Sequence, residues 1–299
     1  TSLDGIDVAI IDILDNGYSL IGFITVPYQN ETKEKVMECS LLDKSNVQKI
    51  CSLNVELSYL YVDAIKKGLD QYNVSIDEID FIAMHGQTIW HNPNNMDGYF
   101  SSTLQIGDPS VVAYELNKTV ISNFRTMDMA AGGSGAPLMP YAHYLMFKNE
   151  NKNIAVQNIG GIGNVTYIKG SDIIAFDTGP GNMLIDGAMQ KLYNLAFDDS
   201  GSIASSGKII KEVLDNLLDD EYLTLSYPKS TGREKYNSVF LDNVIEECLK
   251  YTTKNEDIIT TLTAYTAATI VKEYELFLDG VEKVVVAGGG ANNKYIIKY

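Results

Sequence analysis

The chain has 299 residues, 45% of them hydrophobic, which allows a sizeable core and by length suggests about two domains. It carries 39 acidic and 23 basic residues, a formal net charge of -16, so most of its surface would repel nucleic acid and anionic membranes. The three cysteines lack C-x-x-C spacing, so we expect neither a disulfide framework nor a zinc site. No apolar run approaches the ~20 residues of a membrane span and no charged leader opens the chain, so we expect a cytoplasmic protein.

The first predicted element is a β-hairpin. Apolar runs at 6–12 and 20–26 flank a turn at 15–17 that contains Asn-Gly, the strongest short-range hairpin signal. Apolar residues at helical spacing in 57–69 then predict an amphipathic helix, which is followed by a predicted strand at 79–84.

The same pattern returns in the second half of the chain. Predicted strands at 154–159 and 165–168 flank a glycine-rich turn, and a helical pattern in 258–277 precedes a buried strand at 284–287. The repetition predicts an α/β protein of two similar lobes, each with a mixed sheet that opens with an antiparallel hairpin.

Asp177 is the strongest candidate for a catalytic carboxylate. It follows a short buried strand at 173–176 and precedes Gly179-Pro180-Gly181, a loop too rich in glycine to cover it. Open α/β sheets place their ligands at the carboxyl ends of strands. The alternative is that Asp177 caps the helix predicted downstream, since Asp is a favoured N-cap residue, but the Gly-Pro-Gly insertion gives it poor spacing for that role.

We assign the lobes to 1–147 and 148–299, with 136–147 as the bridge, and both carry glycine-rich turns. Successive backbone N–H groups in such turns form anion-binding nests, and glycine lets the backbone approach the anion. A single glycine-rich turn is often only a tight turn. Three such turns in this order resemble the arrangement in the duplicated, ribonuclease H-like fold of actin, Hsp70 and hexokinase, in which turns from both lobes approach ATP. The predicted nucleotide-binding residues are Thr1, Ser2, Leu3, Asp4, Gly5, Ile6, Asp7, Gly160, Gly161, Gly163, Asn164 and, beneath the adenosine, Gly288, Gly289 and Gly290.

Two other phosphate-binding motifs fail on their spacing. The segment 201–208 has one residue too many between its glycines for a P-loop, and Ile209 stands where Ser or Thr would bind magnesium. Gly161 and Gly163 follow a strand as in a dinucleotide fingerprint, but Thr166 replaces the third glycine and a strand follows.

Ordered motifs along the whole chain resemble those of one family, the anhydro-N-acetylmuramic acid kinases. The resemblance implies an enzyme that uses ATP and Mg²⁺ to open 1,6-anhydro-N-acetylmuramic acid with water and phosphorylate the freed O6, in peptidoglycan recycling. It also implies a homodimer. The motifs that carry it are Thr1-Ser2-Leu3-Asp4-Gly5-Ile6-Asp7, His85-Gly86-Gln87-Thr88-Ile89-Trp90-His91, Leu104-Gln105-Ile106-Gly107-Asp108, Asn123-Phe124-Arg125-Thr126-Met127-Asp128-Met129-Ala130, Gly135-Ala136-Pro137-Leu138, Asn158-Ile159-Gly160-Gly161-Ile162-Gly163-Asn164, the Asp177 loop and Pro228-Lys229-Ser230-Thr231-Gly232-Arg233-Glu234.

The sequence also departs from the family's pattern. Members carry a glycine and a short strand ahead of Thr1, and an acidic stretch and a helix beyond Tyr299, so we expect this chain to be truncated at both ends. Asn123 stands where many members have Asp, and Ser134 where many have Gln. Neither change touches Asp177.

Chemistry and resemblance together assign roles. Water that attacks the anomeric carbon needs a carboxylate base within hydrogen-bond reach, and Asp177 is our choice. Asp4 is the carboxylate expected to meet Mg²⁺, with a turn-stabilising Asp as the open alternative. The predicted sugar-contacting residues are His85, Gln87, Thr88, Arg125 and Asp128.

Several of these roles have alternatives. His85 also fits a satisfied buried histidine. Arg125 and Asp128 form either a lid-anchoring ion pair or, through the guanidinium fork, a contact with the lactyl carboxylate of the sugar. Lys229 and Arg233 would reach either a phosphate or the partner subunit.

Two other functions would use the same features. A different sugar kinase of the same superfamily would use Asp177 as a base on an ordinary hydroxyl. A non-catalytic module would hold ATP or a sugar without turnover, because a fold does not by itself imply a function.

Overall fold

The chain forms two compact units, Thr1–Leu138 and Met139–Tyr299. The computed structural model describes Leu3 and the ranges 5–14, 17–93, 98–232 and 235–299.

The strands of the first unit pair two by two within the described residues. β1 and β2 form the predicted antiparallel hairpin, whose turn residues 15–16 lie outside the described part. β3 pairs in parallel with β6, and β4 pairs antiparallel with β5. The sequence predicted one mixed sheet here, whereas β3 and β6, of three residues each, form a separate parallel pair. The helices and strands are β1 (Gly5–Leu14), β2 (Gly17–Pro27), α1 (Asn30–Cys39), α2 (Val47–Tyr72), β3 (Phe81–Ala83), β4 (Gln87–Asn92), β5 (Ser102–Ile106), α3 (Pro109–Leu116), β6 (Thr119–Ile121) and α4 (Phe124–Ala130).

Helix α2 confirms the amphipathic helix predicted at 57–69 and extends it in both directions. It begins after Asn46, whose side chain accepts a hydrogen bond from Lys49 N (2.9 Å), and it ends at Asn73 in the left-handed conformation. Its buried Leu57 lies in the main apolar cluster of the unit.

The second unit is built on one mixed sheet of order β10-β7-β8-β9. β8 is antiparallel to β7 and β9, and β10 is parallel to β7, so the predicted α/β class and the second hairpin are confirmed. The helices and strands are α5 (Met139–Phe147), β7 (Ile154–Ile159), β8 (Gly163–Lys169), β9 (Asp172–Gly179), α6 (Met183–Tyr193), α7 (Lys211–Leu218), α8 (Ser238–Leu249), α9 (Asn255–Phe277), β10 (Lys283–Ala287) and α10 (Lys294–Lys298). Short 3₁₀ turns lie at Ile76–Glu78, Asp199–Gly201, Glu221–Thr224 and Gly289–Asn292.

Helix α9 is the centre of the second unit. Its Ile258, Leu262 and Tyr265 are fully buried and belong to a cluster that also takes side chains from α6, α7 and α8. Because α9 is buried on most of its circumference, polar residues on it need partners inside the protein.

The boundary between the units lies before α5 rather than at Phe147, where the sequence placed it. Helix α5 contacts β8 and β9, and His143 Nδ1 lies 2.9 Å from Thr166 Oγ1 on β8. The helix predicted as a bridge therefore packs on the second sheet. None of the helices in the described ranges has both the length and the apolar character needed to cross a membrane.

Candidate functional site

Three parallel strands of the second sheet end at one edge. β10 runs parallel to β7, and β9 also runs parallel to β7 because both are antiparallel to β8. Their carboxyl ends lead into the turn at 160–162, the loop after Asp177 and the turn at 288–290. This is the end at which open α/β sheets bind ligands. Two of the predicted nucleotide turns and the predicted base therefore share one edge.

Asp177 lies directly across the β8–β9 ladder from Asn164. The register shifts beside this pair, and Thr178 is the extra residue; its buried hydroxyl accepts a hydrogen bond from Gln157 Nε2 (3.1 Å). Bulges of this kind re-aim neighbouring side chains and are common next to active sites. Asp177 itself is half-buried.

The glycine loop 179–181 leads straight onto the 160–162 turn. Asn182 N donates to Gly160 O (2.7 Å), and Met183 N donates to Gly161 O (3.0 Å). The start of α6 thus holds the carbonyl groups of the turn in place.

The turn at 288–290 packs against the same segments. A Cβ on Gly288 would lie 2.6 Å from Asn158 Oδ1, and a Cβ on Gly290 would lie 3.0 Å from Asn182 Oδ1. Contacts this close leave no room for a side chain, so these two glycines are required by the packing of the protein itself.

Three other glycines at this edge have no such requirement. A Cβ would meet its nearest neighbour at 3.5 Å on Gly160, and at 3.7 Å on both Gly161 and Gly289, and none of the three has a left-handed backbone. The protein alone would accept alanine there. Bare backbone at these three positions permits the close approach of a ligand, and backbone N–H groups favour an anionic one.

Within the described residues, Asp177 makes three hydrogen bonds to the segments beside it. Thr231 N donates to Asp177 Oδ2 (3.0 Å), Tyr222 Oη donates to Asp177 O (2.7 Å), and Asp177 N donates to Lys229 O (3.2 Å). The N-cap position of α6 belongs to Asn182. The helix-capping alternative for Asp177 therefore does not describe this structure.

The burial of Lys229 does not fit the phosphate or partner-subunit contact that the sequence suggested. Its side chain is only 3% exposed, and its Nζ donates to the fully buried Glu273 Oε1 (2.7 Å). Both suggested roles need an accessible ammonium, so both are wrong for Lys229. Arg233, the other residue considered for them, lies outside the described residues.

Arg125 and His85 are hydrogen bonded in the first unit. Arg125 Nε donates to His85 Nε2 (2.7 Å), and His85 Nδ1 lies 2.8 Å from Gly86 O. Since Nε2 accepts, Nδ1 carries the proton. Burial lowers the pKa of His85, and the charge of Arg125 lowers it further, so the imidazole is neutral at neutral pH.

Arg125 and Asp128 hold Gly135 from two sides. Arg125 Nη1 donates to Gly135 O (2.7 Å), and Asp128 Oδ2 accepts from Gly135 N (2.7 Å). Among the ion pairs of the described residues, none joins Arg125 to Asp128. The ion-pair alternative is therefore wrong, and the two side chains order the loop before Pro137 together.

The remaining predicted sugar residues lie on β4. Gln87 is buried and its Nε2 donates to Thr88 O (3.3 Å), while Thr88 Oγ1 accepts from Gln105 Nε2 on β5 (3.3 Å). The β4–β5 pair thus holds the Thr88 side chain across the two strands, while the described bond of Gln87 stays within β4.

Part of the predicted first phosphate turn, namely Thr1, Ser2 and Asp4, lies outside the described residues. Leu3 and Ile6 pack against the main apolar cluster of the first unit. Gly5 and Asp7 belong to β1, and Asp7 Oδ1 accepts from Thr25 Oγ1 (2.6 Å) across the hairpin. No three His, Cys, Asp or Glu side chains in the described ranges are grouped to hold a metal.

The P-loop-like segment 201–208 is occupied by a side chain of the protein. Asp198 is buried; its Oδ1 accepts from Ile203 N (2.9 Å), and its Oδ2 accepts from Ala204 N (3.0 Å). The amides that a phosphate would need already bind a carboxylate, in agreement with the rejection of this motif from its spacing.

The whole chain, residues 1–299, matches the family model described as anhydro-N-acetylmuramic acid kinase. The chain belongs to this family. The anhydro-N-acetylmuramic acid kinase of Clostridioides difficile (strain 630) is 47% identical over 310 residues, covering 100% of this chain and 80% of the relative. That of Bacillus cereus (strain Q1) is 44% identical over 309 residues with the same coverage. The resemblance found in the sequence is confirmed.

Solved structures similar to this anhydro-N-acetylmuramic acid kinase family member are distant. The activator of the 2-hydroxyisocaproyl-CoA dehydratase from Clostridium difficile with bound ADPNP has a TM-score of 0.43 at 13% identity, covering 98% of this chain and 84% of the other. A ROK family glucokinase from Streptomyces griseus in complex with glucose and AMPPNP has a TM-score of 0.32 at 12% identity, covering 98% and 95%.

Sequence reasoning missed two residues at the candidate site of this kinase family member. Tyr222, in a 3₁₀ turn, gave no local signal at all. Glu273 gave a weak one, because it lies seven positions after Thr266 on the buried face of α9, where a charged residue needs a partner.

Proposed function

We propose that this chain opens 1,6-anhydro-N-acetylmuramic acid with water and phosphorylates the freed O6 with ATP, forming N-acetylmuramic acid 6-phosphate and ADP in peptidoglycan recycling. Membership of the family supports this reaction. The observation that carries the site is the position of Asp177 opposite Asn164, beside the open 160–162 turn. It puts a carboxylate next to backbone suited to a phosphate.

Asp177 acts as the general base in this proposal. Its carboxylate takes a proton from water while the water oxygen bonds to the anomeric carbon and the bond from that carbon to O6 breaks. O6 then bonds to the γ-phosphorus of ATP, the bond from that phosphorus to the ADP oxygen breaks, and the proton passes from Asp177 to solvent. The hydrogen bond from Thr231 N keeps the carboxylate oriented.

ATP is assigned to the second unit. The backbone of Gly160, Gly161 and Gly289 accepts close approach of phosphates and adenosine because nothing in the protein fills the space of their missing side chains. A Mg²⁺ ion bound with the nucleotide would supply neutralisation of charge on the transferred group, and one or two protein carboxylates would be enough to hold it beside the phosphates. The carboxylate proposed for it, Asp4, lies outside the described residues.

The sugar is assigned to the first unit. Both ring nitrogens of His85 are used within the protein, as in the satisfied-histidine alternative, so His85 contributes by orienting Arg125. Arg125 uses Nε and Nη1 within the protein. Its other amino group suits the lactyl carboxylate of the sugar. Asp128 contributes by ordering the loop at Gly135. A cytoplasmic homodimer is proposed from the composition and the family resemblance.

The reaction is tested by ADP release with a panel of sugars that includes the anhydro sugar, run in H₂¹⁸O. We expect the anhydro sugar to be the best substrate, with the label on the anomeric oxygen of the product and none in the transferred phosphoryl group. A stronger response to an ordinary sugar would favour another sugar kinase, and ATP binding without release for any sugar would favour a non-catalytic module. Label in the phosphate would mean that water attacks phosphorus.

The ATP assignment predicts a separation of stability from binding in Gly161→Ala. The free energy of unfolding should stay within ~0.5 kcal/mol of wild type, because the new methyl meets only ordinary contacts. The KM for ATP should rise ~10–100-fold, since a methyl forced against a bound group costs about 1–3 kcal/mol. The KM for the sugar serves as the internal control and should not change. An unaltered KM for ATP would show that the phosphates do not bind at this turn.

A further inference from the structure

We propose that Lys229 and Glu273 form a buried positioning pair that holds the Asp177 carboxylate in its working orientation. The proposal rests on the function assigned to Asp177 above. The sequence assigned no role to Glu273, and the burial of Lys229 does not fit the two roles that the sequence suggested for it.

The segment that carries Lys229 touches Asp177 twice. Lys229 O accepts from Asp177 N (3.2 Å), and Thr231 N donates to Asp177 Oδ2 (3.0 Å). A third bond, from Tyr222 Oη to Asp177 O (2.7 Å), comes from a separate 3₁₀ turn. Two segments outside the sheet therefore contact Asp177: one bonds to its carboxylate and its backbone N–H, and the other bonds to its backbone carbonyl.

The ammonium of Lys229 ties these two segments to one helix. Its Nζ donates to Tyr222 O (3.1 Å) and to Glu273 Oε1 on α9 (2.7 Å). The same Nζ lies 4.9 Å from the centre of the Tyr222 ring and 4.8 Å from that of Phe277. Aromatic faces and a carboxylate together compensate a cation removed from water.

Stability alone is a poor reason for this pair. The side chains are 3% and 0% exposed, and removing two charges from water at such depth costs about as much as their attraction returns. Burial raises the pKa of Glu273 to about 7 although the neighbouring Lys229 acts against the rise. Glu273 Oε2 has no hydrogen-bond partner among the described residues. A pair this costly fits a positioning role better than a stabilising one.

The rest of the same α9 face supports the Asp177 loop. Thr266, Thr269 and Glu273 follow helical spacing and lie on one side of the helix. Thr266 Oγ1 donates to Gly181 O (2.6 Å), and a Cβ on Gly179 would lie 2.8 Å from Thr269 Oγ1. One helix face thus contacts the loop directly and, through Lys229, fixes the carboxylate at its start.

The test compares Lys229→Met with the double variant Lys229→Met/Glu273→Leu in the full chain. Met keeps the length and apolar contacts of the lysine stem while removing the ammonium. We expect Lys229→Met to lose stability and to lower kcat ~10–100-fold, the cost of a carboxylate misplaced by about 1 Å. The KM values should stay within about twofold, because the ligand turns are untouched. Glu150→Gln, which alters the partly exposed Lys283–Glu150 pair (2.8 Å), is the matched control and should change neither quantity.

The double variant separates positioning from folding. Removing both buried charges should restore stability, since apolar pairs often replace buried ion pairs without loss, while kcat stays low. Recovery of kcat together with stability would overturn the proposal, as would a folded Lys229→Met with wild-type kcat. If Lys229→Met does not fold, the double variant decides alone. If Asp177→Asn remained active, the general-base role of Asp177 in the proposed function would be wrong. If Asp177→Asn were inactive and the double variant fully active, only the positioning role of the Lys229–Glu273 pair would be wrong.

Discussion

Asp177→Asn should lower kcat by ~10²–10⁴-fold, the usual cost of removing a general base. Asn keeps an oxygen that can accept the hydrogen bond from Thr231 N, now 3.0 Å from Asp177 Oδ2, so the loop should keep its shape. Ring opening and phosphorylation should disappear together, because O6 becomes a nucleophile only while water opens the ring. Steady-state ADP release and product analysis by mass spectrometry measure both steps.

Asp172→Asn is the matched control for this change. It makes the same substitution at the exposed start of the same strand, β9, and should leave kcat and both KM values as in wild type. Nucleotide binding by Asp177→Asn, followed by calorimetry, should remain near the wild-type affinity because the glycine turns are intact. Near wild-type turnover by Asp177→Asn would show that this carboxylate is not the base.

The second unit was largely predictable because its signals are local. The β7–β8 hairpin follows from two apolar runs around a glycine-rich turn, and the position of Asp177 follows from an apolar run that ends in an acid before Gly-Pro-Gly. The glycines at 288–290 mark the end of β10 in the same way. The shared edge itself depends on the long-range parallel pairing of β10 with β7, which local patterns do not give.

What sequence reasoning missed depends on contacts between distant residues. Lys229 and Glu273 lie on different elements, and a lysine in a Ser-Thr-Gly loop has the local pattern of an exposed, phosphate-binding residue, which it is not. Arg125 and Asp128 are three positions apart, as in a helical ion pair, yet both are used by the backbone of Gly135. Backbone partners of side chains leave no periodic trace in a sequence.

The division of the chain shows the same limit. Helix α5 follows a glycine-rich stretch, so the sequence favoured a linker role for it, but the helix packs on β8 and β9. In the first unit the β1–β2 hairpin was recognised from its turn. The sequence did not show that β3 and β6 form a separate pair, because strands of three residues each give too short a pattern.

Gly181→Ala should damage both stability and catalysis. Gly181 has φ +50, where a side chain costs ~1–2 kcal/mol, and its Cβ would lie 2.8 Å from both Gly161 O and Gly163 N. Forcing backbone apart at such contacts adds about 1–3 kcal/mol. The shift would move the 160–162 turn away from the Asp177 loop, so kcat/KM for ATP should fall by ~10²-fold. Denaturant unfolding and steady-state kinetics measure the two effects.

Gly170→Ala isolates the backbone part of this prediction. Gly170 lies in the β8–β9 turn with φ +62, and a Cβ there would meet nothing within 4 Å. Alanine at this position carries the same left-handed strain without the clash, so it should lose ~1–2 kcal/mol of stability and keep wild-type kcat/KM. If Gly181→Ala lost no more activity than Gly170→Ala, the contact between the glycine loop 179–181 and the 160–162 turn would have no part in binding or turnover. A larger loss in Gly181→Ala alone ties catalysis to that contact, because strain is common to both variants and the contact is not.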